Sequence, residues 1–176
     1  MNLPVFKYHP DPIATGSIVR STGPCICCEQ DRGYIYVGNI YAEDDLEECL
    51  CPWCIHEGKA HIEFAAEFTD SAGVGDGELP EEVIEEVAHR TPGFSGWQQE
   101  QWLSCCEDAA AFLGIAGREE LQTKWPEAIE AVKAEVGLEG EEWDVYFRAL
   151  SLDEGPTAYV FRCLHCGKLL AYSDCN

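Results

Sequence analysis

Residues 25–28 read Cys-Ile-Cys-Cys and residues 51–54 read Cys-Pro-Trp-Cys. Each contains a Cys-x2-Cys pair, and a tight turn over such a pair lets two sulfur atoms converge on one metal ion. The 22 residues between the pairs slightly exceed the usual ribbon spacing of about 15–20, and one strand with its turn fills them. Because structural zinc takes four ligands at tetrahedral positions, the sequence predicts one zinc site formed by Cys25, Cys28, Cys51 and Cys54.

A third Cys-x2-Cys pair lies near the C-terminus, at Cys163 and Cys166, and is followed by Gly167. Glycine at that position suits the positive φ that such turns often need. One pair supplies only two ligands, so the other two must come from elsewhere, and the adjacent Cys105 and Cys106 are the first candidates. Cys106 is the better of the two, because neighbouring cysteines can both bind one ion only if the backbone is contorted. We therefore predict a second zinc ion on Cys105, Cys106, Cys163 and Cys166.

Other interpretations of this second group stay open. His165, His89 and Asp108 are weaker candidate ligands, and Cys105 and Cys106 could instead be small hydrophobic core residues, as free cysteines often are. A further interpretation concerns residues 51–54, which resemble a redox Cys-Pro-x-Cys site. It is disfavoured, because an acidic segment rather than a buried strand precedes them, and neighbouring acids raise the pKa of a thiol. We expect Cys27 and Cys49 to be packing residues and assign no role to Cys175.

The charge of the chain restricts its partners. The 176 residues include 33 acidic and 11 basic side chains, for a formal net charge of −22. A nucleic-acid binder needs cationic side chains to displace counterions from phosphate, so nucleic acid is an unlikely partner. A cationic protein is a plausible one, although the acidity could also serve solubility alone. The sequence does not predict the oligomeric state.

Cysteine use and hydropathy indicate the compartment. Eleven cysteines is an odd number, and no secretory signal is readable at the N-terminus, so paired cysteines point to metal rather than to disulfides. No apolar run approaches the ~20 residues needed to cross a bilayer. We expect a cytoplasmic protein that does not enter a membrane. The chain shows no catalytic constellation.

The expected fold class is α+β. Strands are predicted near residues 16–20, 33–41, 157–163 and 169–172, helices near 56–68, 80–90, 117–125, 126–136 and 141–152, and short helical turns from 97 to 113. We expect residues 1–56 and 157–176 to form a zinc-ribbon-like, β-rich lobe, packed on a mainly helical segment from 57 to 156. The two parts should make a single compact domain.

Several stretches together resemble the CbrC family, a group of poorly characterised bacterial proteins that includes one linked to colicin tolerance. The matching text is Leu-Pro-x-Phe-Lys-Tyr-His-Pro at 3–10, Asn-Ile-Tyr-Ala at 39–42, Cys-Pro-Trp-Cys-Ile at 51–55, Arg-Thr-Pro-Gly-x-x-Gly-Trp-Gln at 90–98 and Phe-Arg-Cys-x-His-Cys-Gly at 161–167. The resemblance implies a bacterial, cytoplasmic protein with a stress or toxin-tolerance role, and it names no reaction.

The chain departs from this family near residue 105. The family pattern there resembles His-Cys-Gly-Asp, whereas this chain reads Cys-Cys-Glu-Asp at 105–108. The resemblance thus carries over Cys106 and Asp108 and leaves the ligand role of Cys105 open. Histidine and cysteine both bind zinc, so the exchange is compatible with ligation.

Three functions follow as hypotheses. The first is a non-enzymatic interaction or toxin-tolerance protein with an acidic surface that binds a cationic partner. The second is a zinc-dependent hydrolase, which needs an open coordination position on the metal. The third is a zinc-ribbon nucleic-acid module, which the net charge disfavours.

Overall fold

A three-stranded antiparallel sheet lies at the centre of the protein, whose structure is a computed structural model that describes residues 3–175. Its strands, in spatial order, are β5 (Ala111–Ala116), β6 (Thr157–Arg162) and β7 (Leu169–Asp174). The first five residues of β6 are buried, because both faces of the sheet are covered. Side chains alternate between these faces along the strand.

An aromatic cluster covers one face of this sheet. Tyr159 and Phe161 of β6 point into it and meet Phe94, Trp102 and Phe112. The rings of Phe94 and Phe112 stack with their centroids 4.1 Å apart, and the Trp102 indole donates a hydrogen bond to the Ala110 carbonyl at 2.9 Å. Helix α3 (Glu81–Arg90) adds apolar residues to the same cluster. It begins after Pro80, with acidic residues in its first turn as the helix dipole favours.

Helices cover the other face. They are α4 (Arg118–Thr123), α5 (Ile129–Val136) and α6 (Gly140–Ala149). Pro126 opens a 3-10 turn that leads into α5, and Gly137 ends α5 with a φ of 66°. Leu121, Val132 and Trp143 from these helices pack on the Ala158 and Val160 side of β6.

The N-terminal part of the chain has a hydrophobic core of its own. It contains the short hairpin of β1 (Ile18–Arg20) and β2 (Tyr34–Tyr36), followed by α1 (Pro52–His56) and α2 (Lys59–Phe64). Tyr36, Leu50 and Ile55 are fully buried in this core. Three cysteines, Cys25, Cys51 and Cys54, are buried among them, so this core surrounds the first predicted metal site.

A second hairpin is small and holds other predicted ligands. Strands β3 (Ser104–Cys105) and β4 (Asp108–Ala109) pair directly before β5. The prediction of helical turns between residues 97 and 113 is therefore wrong. Alanines and a continuous apolar run fit a buried strand as well as a helix, and pairing with β6 decides in favour of the strand.

The predicted α+β class is confirmed, with small antiparallel sheets, helices and cysteine turns near both ends of the chain. The division into a lobe of residues 1–56 and 157–176 and a helical segment of 57–156 stays a prediction. The sheets refine it, since β1 and β2 pair with each other, whereas β6 and β7 pair with β5 from the middle of the chain. Between residues 3 and 175, no helix is both long and apolar enough to cross a membrane.

Candidate metal centres

Four cysteines of the N-terminal part form one group, here called the N-terminal centre. Their sulfur atoms all lie within 4.8 Å of one another, and the Cys28 and Cys51 sulfurs are 3.8 Å apart. A tetrahedral zinc ion with Zn–S bonds of about 2.3 Å requires sulfurs about 3.8 Å apart. The donor set and its spacing therefore fit zinc, and the members are the predicted Cys25, Cys28, Cys51 and Cys54.

Backbone N–H groups stabilise negative charge on one sulfur of this centre, that of Cys25. The Cys51 N–H donates to the Cys25 sulfur at 3.2 Å. A hydrogen bond from the Cys51 thiol, together with backbone N–H groups of Cys51, Cys28 and Cys27, lowers the pKa of the Cys25 thiol to about 4, although burial opposes this shift. A zinc ligand has to be a thiolate. The metal-binding state is therefore favoured at Cys25, whereas the hydrogen bond to Cys25 raises the pKa of the Cys51 thiol and burial raises that of the Cys54 thiol.

The second group, here called the C-terminal centre, also brings four sulfurs within 4.8 Å of one another. The Cys105 sulfur lies 3.6 Å from that of Cys106 and 3.8 Å from that of Cys166. These distances fit the same tetrahedral geometry. The structure thus brings together all four predicted residues, Cys105, Cys106, Cys163 and Cys166.

A tight turn explains how two adjacent cysteines reach one centre. Cys106 and Glu107 connect β3 to β4 and have φ values of 57° and 60°. Two left-handed residues between paired strands form a type I′ turn, which usually carries Gly or Asn. This turn is the backbone contortion that ligation by both cysteines requires. The pairing of β3 with β4 on either side of the turn compensates for this unfavourable backbone conformation.

The two centres use the same local turn. In both, the N–H four residues after the first cysteine donates to that cysteine's carbonyl, from Glu29 to Cys25 at 2.7 Å and from Gly167 to Cys163 at 3.1 Å. Both of these residues have a positive φ, 55° for Glu29 and 75° for Gly167. The positive φ expected at Gly167 is confirmed. The N-terminal turn achieves the same conformation without glycine.

The centres differ in their exposure to solvent. In the N-terminal centre three of the four cysteines are buried and Cys28 is half-buried. In the C-terminal centre only Cys163 is buried, and Cys106 and Cys166 are exposed. The N-terminal centre is thus enclosed by a hydrophobic core, whereas the C-terminal centre lies at the surface.

Asp108 connects the C-terminal centre to the start of the chain. Its carboxylate accepts hydrogen bonds from the Tyr8 hydroxyl at 2.6 Å, from Lys7 Nζ at 3.0 Å and from His165 Nε2 at 2.9 Å. Burial opposes its ionisation, but these hydrogen bonds outweigh that effect and hold the pKa of Asp108 below its usual value. Asp108 and His165 are therefore not members of the sulfur group but join it to Lys7 and Tyr8.

This anchoring role was not predicted from the sequence, although Tyr8 and His165 lie within stretches that carry the family resemblance and the resemblance carries over Asp108. His89, the other weaker candidate ligand, lies away from both centres. Its ring stacks on that of His61 with centroids 3.5 Å apart, and its Nε2 is 3.6 Å from Glu67.

The three remaining cysteines lie outside both groups. Cys27 packs against the N-terminal core, and burial raises the pKa of its thiol to about 11. The Cys49 thiol donates to the Glu47 carbonyl at 3.1 Å, and Cys175 is exposed. None of them belongs to a four-sulfur group, although the Cys27 thiol contacts that of Cys54.

Fold and site together define an α+β protein with two four-cysteine centres, each of which could hold a metal ion. The chain belongs to UPF0167, an uncharacterised protein family whose pattern it matches over residues 3–175.

Individual relatives support this membership. UPF0167 proteins of Mycobacterium bovis and Mycobacterium tuberculosis are each 48% identical to the chain over 177 residues, which cover 98% of this chain and 93% of theirs. A UPF0167 protein of Pseudomonas aeruginosa is 42% identical over 167 residues, or 94% of this chain and 93% of its own. No solved structure matches. The resemblance implied a poorly characterised family, and UPF0167 is uncharacterised. The assignment to the CbrC family and the link to colicin tolerance stay predictions.

Proposed function

We propose that this protein is a cytoplasmic, non-enzymatic interaction protein, stabilised by two zinc ions, whose acidic surface binds a cationic partner. The observation that carries the structural role of the metal is the completeness of both cysteine groups. Four thiolates fill the tetrahedral positions of zinc, and a catalytic site would keep one position for water or substrate. The hydrolase hypothesis lacks that open position.

Zinc would replace hydrophobic core that the short N-terminal strands cannot supply. Strands β1 and β2 have three residues each, and a hairpin of this size is not stable by itself. The N-terminal centre joins the turn at 25–28 to the start of α1, which has five residues. Binding of the ion would therefore contribute directly to folding of this part.

The acidic segment at 43–48 supports the choice of a cationic partner. Five of its six residues are acidic and exposed, namely Glu43, Asp44, Asp45, Glu47 and Glu48. Asp44, Asp45 and Glu47 line a cleft of about 430 Å³ together with Tyr41, whose side chain is 39% exposed. A lysine or arginine side chain in this cleft would meet carboxylates and an aromatic ring, and both attract cations.

The test is binding to a basic toxin domain. The probe is the purified nuclease domain of a colicin-type toxin, titrated calorimetrically into the zinc-loaded protein at 50 and 300 mM NaCl. We expect affinity to fall at least about tenfold at the higher salt, because exposed charges are screened. A Kd that does not change with salt, or no binding at low salt, would overturn the proposal.

Two variants separate the acidic segment from net charge alone. The triple variant Asp44→Asn, Asp45→Asn, Glu47→Gln removes three charges from the cleft, and we expect it to weaken binding about tenfold. The matched control Glu139→Gln, Glu141→Gln, Glu142→Gln removes three charges at the start of α6 and should change the Kd less than about threefold. Equal effects would mean that the partner responds to overall charge and not to this cleft.

A further inference from the structure

A groove follows the outer edge of strand β7. Its volume is about 880 Å³, which is within the range of pockets that bind ligands. One wall is α5, which contributes the small residues Ala131 and Ala134, and the other wall is residues 103–104. The floor is residues 169–171 at the start of β7. The groove therefore gives access to the edge of a sheet.

The register of the sheet shows which backbone groups face this groove. The Cys163 N–H donates to the Lys168 carbonyl at 2.9 Å, so pairing towards β6 involves the even-numbered residues of β7. The Ser173 N–H instead donates outward, to the Glu135 carboxylate at 3.3 Å. Leu169 and Ala171 have the same outward orientation as Ser173. No residue from 3 to 175 makes a hydrogen bond to the N–H of either.

The opposite edge of the sheet is treated differently. There the Phe112 N–H of β5 donates to the Tyr8 carbonyl at 2.8 Å, so the N-terminal segment covers part of that edge. On β7 the Glu135 carboxylate covers one end, at Ser173. A free edge remains over residues 169–171, which is long enough for a short strand.

Two cations lie beside this free edge. Arg162 and Lys168 both line the groove and are exposed, and neither is in an ion pair with any described residue. Two unpaired cations at one place stand out in a chain with only 11 basic residues, although Glu127 and Glu130 also line the groove, at the start of the α5 wall. Charges often protect a sheet edge from aggregation. Here, however, the charges border an apolar floor with free backbone groups, which is the arrangement that binds an extended peptide.

Charge also indicates which peptide fits. A second copy of this chain would bring another net charge of −22 to the groove, and like charges oppose such an association. A single acidic residue on an otherwise apolar segment would instead pair with Arg162 and Lys168. Further acidic residues would be opposed by Glu127 and Glu130, which also line the groove.

We propose that the groove binds a short extended segment of a partner protein, which pairs with Leu169 and Ala171 as a fourth strand of the sheet. One acidic side chain of the segment lies against Arg162 and Lys168, and its apolar side chains fill the space beside Ala131 and Ala134. This binding mode is independent of the acidic cleft at 43–48.

The test begins with a library of random heptapeptides displayed on phage and selected on the zinc-loaded, full-length protein. We expect enriched sequences to alternate apolar residues and to contain Asp or Glu. The best peptide is then synthesised and titrated into ¹⁵N-labelled protein. The amide signals of Leu169 and Ala171 should shift, and these amides should become protected from hydrogen exchange.

Variants distinguish pairing at the β7 edge from non-specific binding of the peptide. Ala171→Pro removes an outward N–H, and Arg162→Glu with Lys168→Glu reverses the two charges, so each change should weaken peptide binding at least tenfold. Arg148→Glu on α6 is the matched control and should change binding less than twofold. If Ala171→Pro does not fold with its full zinc content, the charge-reversal variant decides by itself.

Three results would overturn the proposal. They are failure of the library to enrich any sequence, peptide binding that leaves the Leu169 and Ala171 amides unchanged, and sedimentation of the free protein as a dimer that Ala171→Pro or the charge reversal dissociates. The last result would assign the edge to a second copy of the chain.

Discussion

The Tyr8 hydroxyl lies 2.6 Å from the Asp108 carboxylate, although 100 residues separate the two in the chain. This contact holds the N-terminal segment against the β3–β4 hairpin and thereby against the C-terminal centre. It also explains the structural role of the sequence Lys-Tyr-His at residues 7–9, because Lys7 contacts the same carboxylate and His9 is buried nearby.

Removing this hydroxyl should destabilise the protein. We expect Tyr8→Phe to lower the free energy of unfolding by about 2 kcal/mol, since the largely buried Asp108 carboxylate loses a charge-assisted hydrogen bond. The measurement is urea unfolding of the zinc-loaded protein. Tyr34→Phe is the control, and its effect should stay within about 0.5 kcal/mol. Equal free energies of unfolding for Tyr8→Phe and the wild type would show that this hydrogen bond does not stabilise the fold.

The strained turn at Glu107 predicts a stabilising change. Glu107→Gly should raise the free energy of unfolding by about 1 kcal/mol, because glycine adopts the φ of 60° without steric cost. Glu85→Gly, in the middle of α3, should lower stability by about 1 kcal/mol, since its backbone is helical. If Glu107→Gly and Glu85→Gly lower the free energy of unfolding equally in urea, the backbone at Glu107 is not strained.

Gly93 is required for close packing of two backbone segments. A Cβ atom at this position would lie 1.8 Å from the Phe68 carbonyl oxygen. We expect Gly93→Ala to cost about 3 kcal/mol or more, because backbone cannot move aside as a flexible side chain can. Gly23→Ala meets only the Ser21 side chain at 3.6 Å and should be nearly neutral. Thermal unfolding of the two variants compares them, and a normal Tm for Gly93→Ala would contradict the geometry.

The buried His9 predicts a loss of stability in mild acid. Its Nδ1–H donates to the Pro92 carbonyl and its Nε2 lies beside the Thr15 hydroxyl, both at 2.7 Å. Burial lowers the pKa of His9 to about 4 from an ordinary value of 6.5. The unfolded chain therefore takes up a proton more readily than the folded one, and stability present above pH 6.5 is lost as the pH falls towards 4.

The expected size of this effect is about 2 kcal/mol between pH 7.5 and 5.0. His9→Gln should be less stable at pH 7.5 but should lose about 2 kcal/mol less over the same interval. Because zinc release also contributes in acid, both proteins are compared with zinc in excess. Parallel pH profiles of the two proteins would exclude His9 as the source.

The sequence predicted the local features of this fold well. The Cys-x2-Cys turns depend only on neighbouring residues, and proline and glycine mark the start and end of α5. The N-terminal sulfur group could also be proposed from spacing. In the C-terminal group, Cys105 and Cys106 were the first of several candidate partners for Cys163 and Cys166, and the structure brings these four together.

Features that depend on distant contacts were not predictable in this way. The apolar run at 109–116 became a strand because β6 pairs with it, and nothing in its own periodicity requires that. The contact of Tyr8 with Asp108 and the free edge of β7 likewise depend on the three-dimensional arrangement. The turn at Cys106 and Glu107 was harder still, because neither residue is typical of a type I′ turn.

The proposed function depends on two zinc ions, each held by four cysteine sulfurs. Zinc K-edge X-ray absorption, with metal content measured on the same sample, tests it most directly on protein purified without nickel affinity resin. We predict two zinc ions per chain, with four sulfur neighbours each at about 2.3 Å and no nitrogen or oxygen in the first coordination shell. One zinc ion or none, a shell that contains nitrogen or oxygen, or disulfides in place of metal would contradict it.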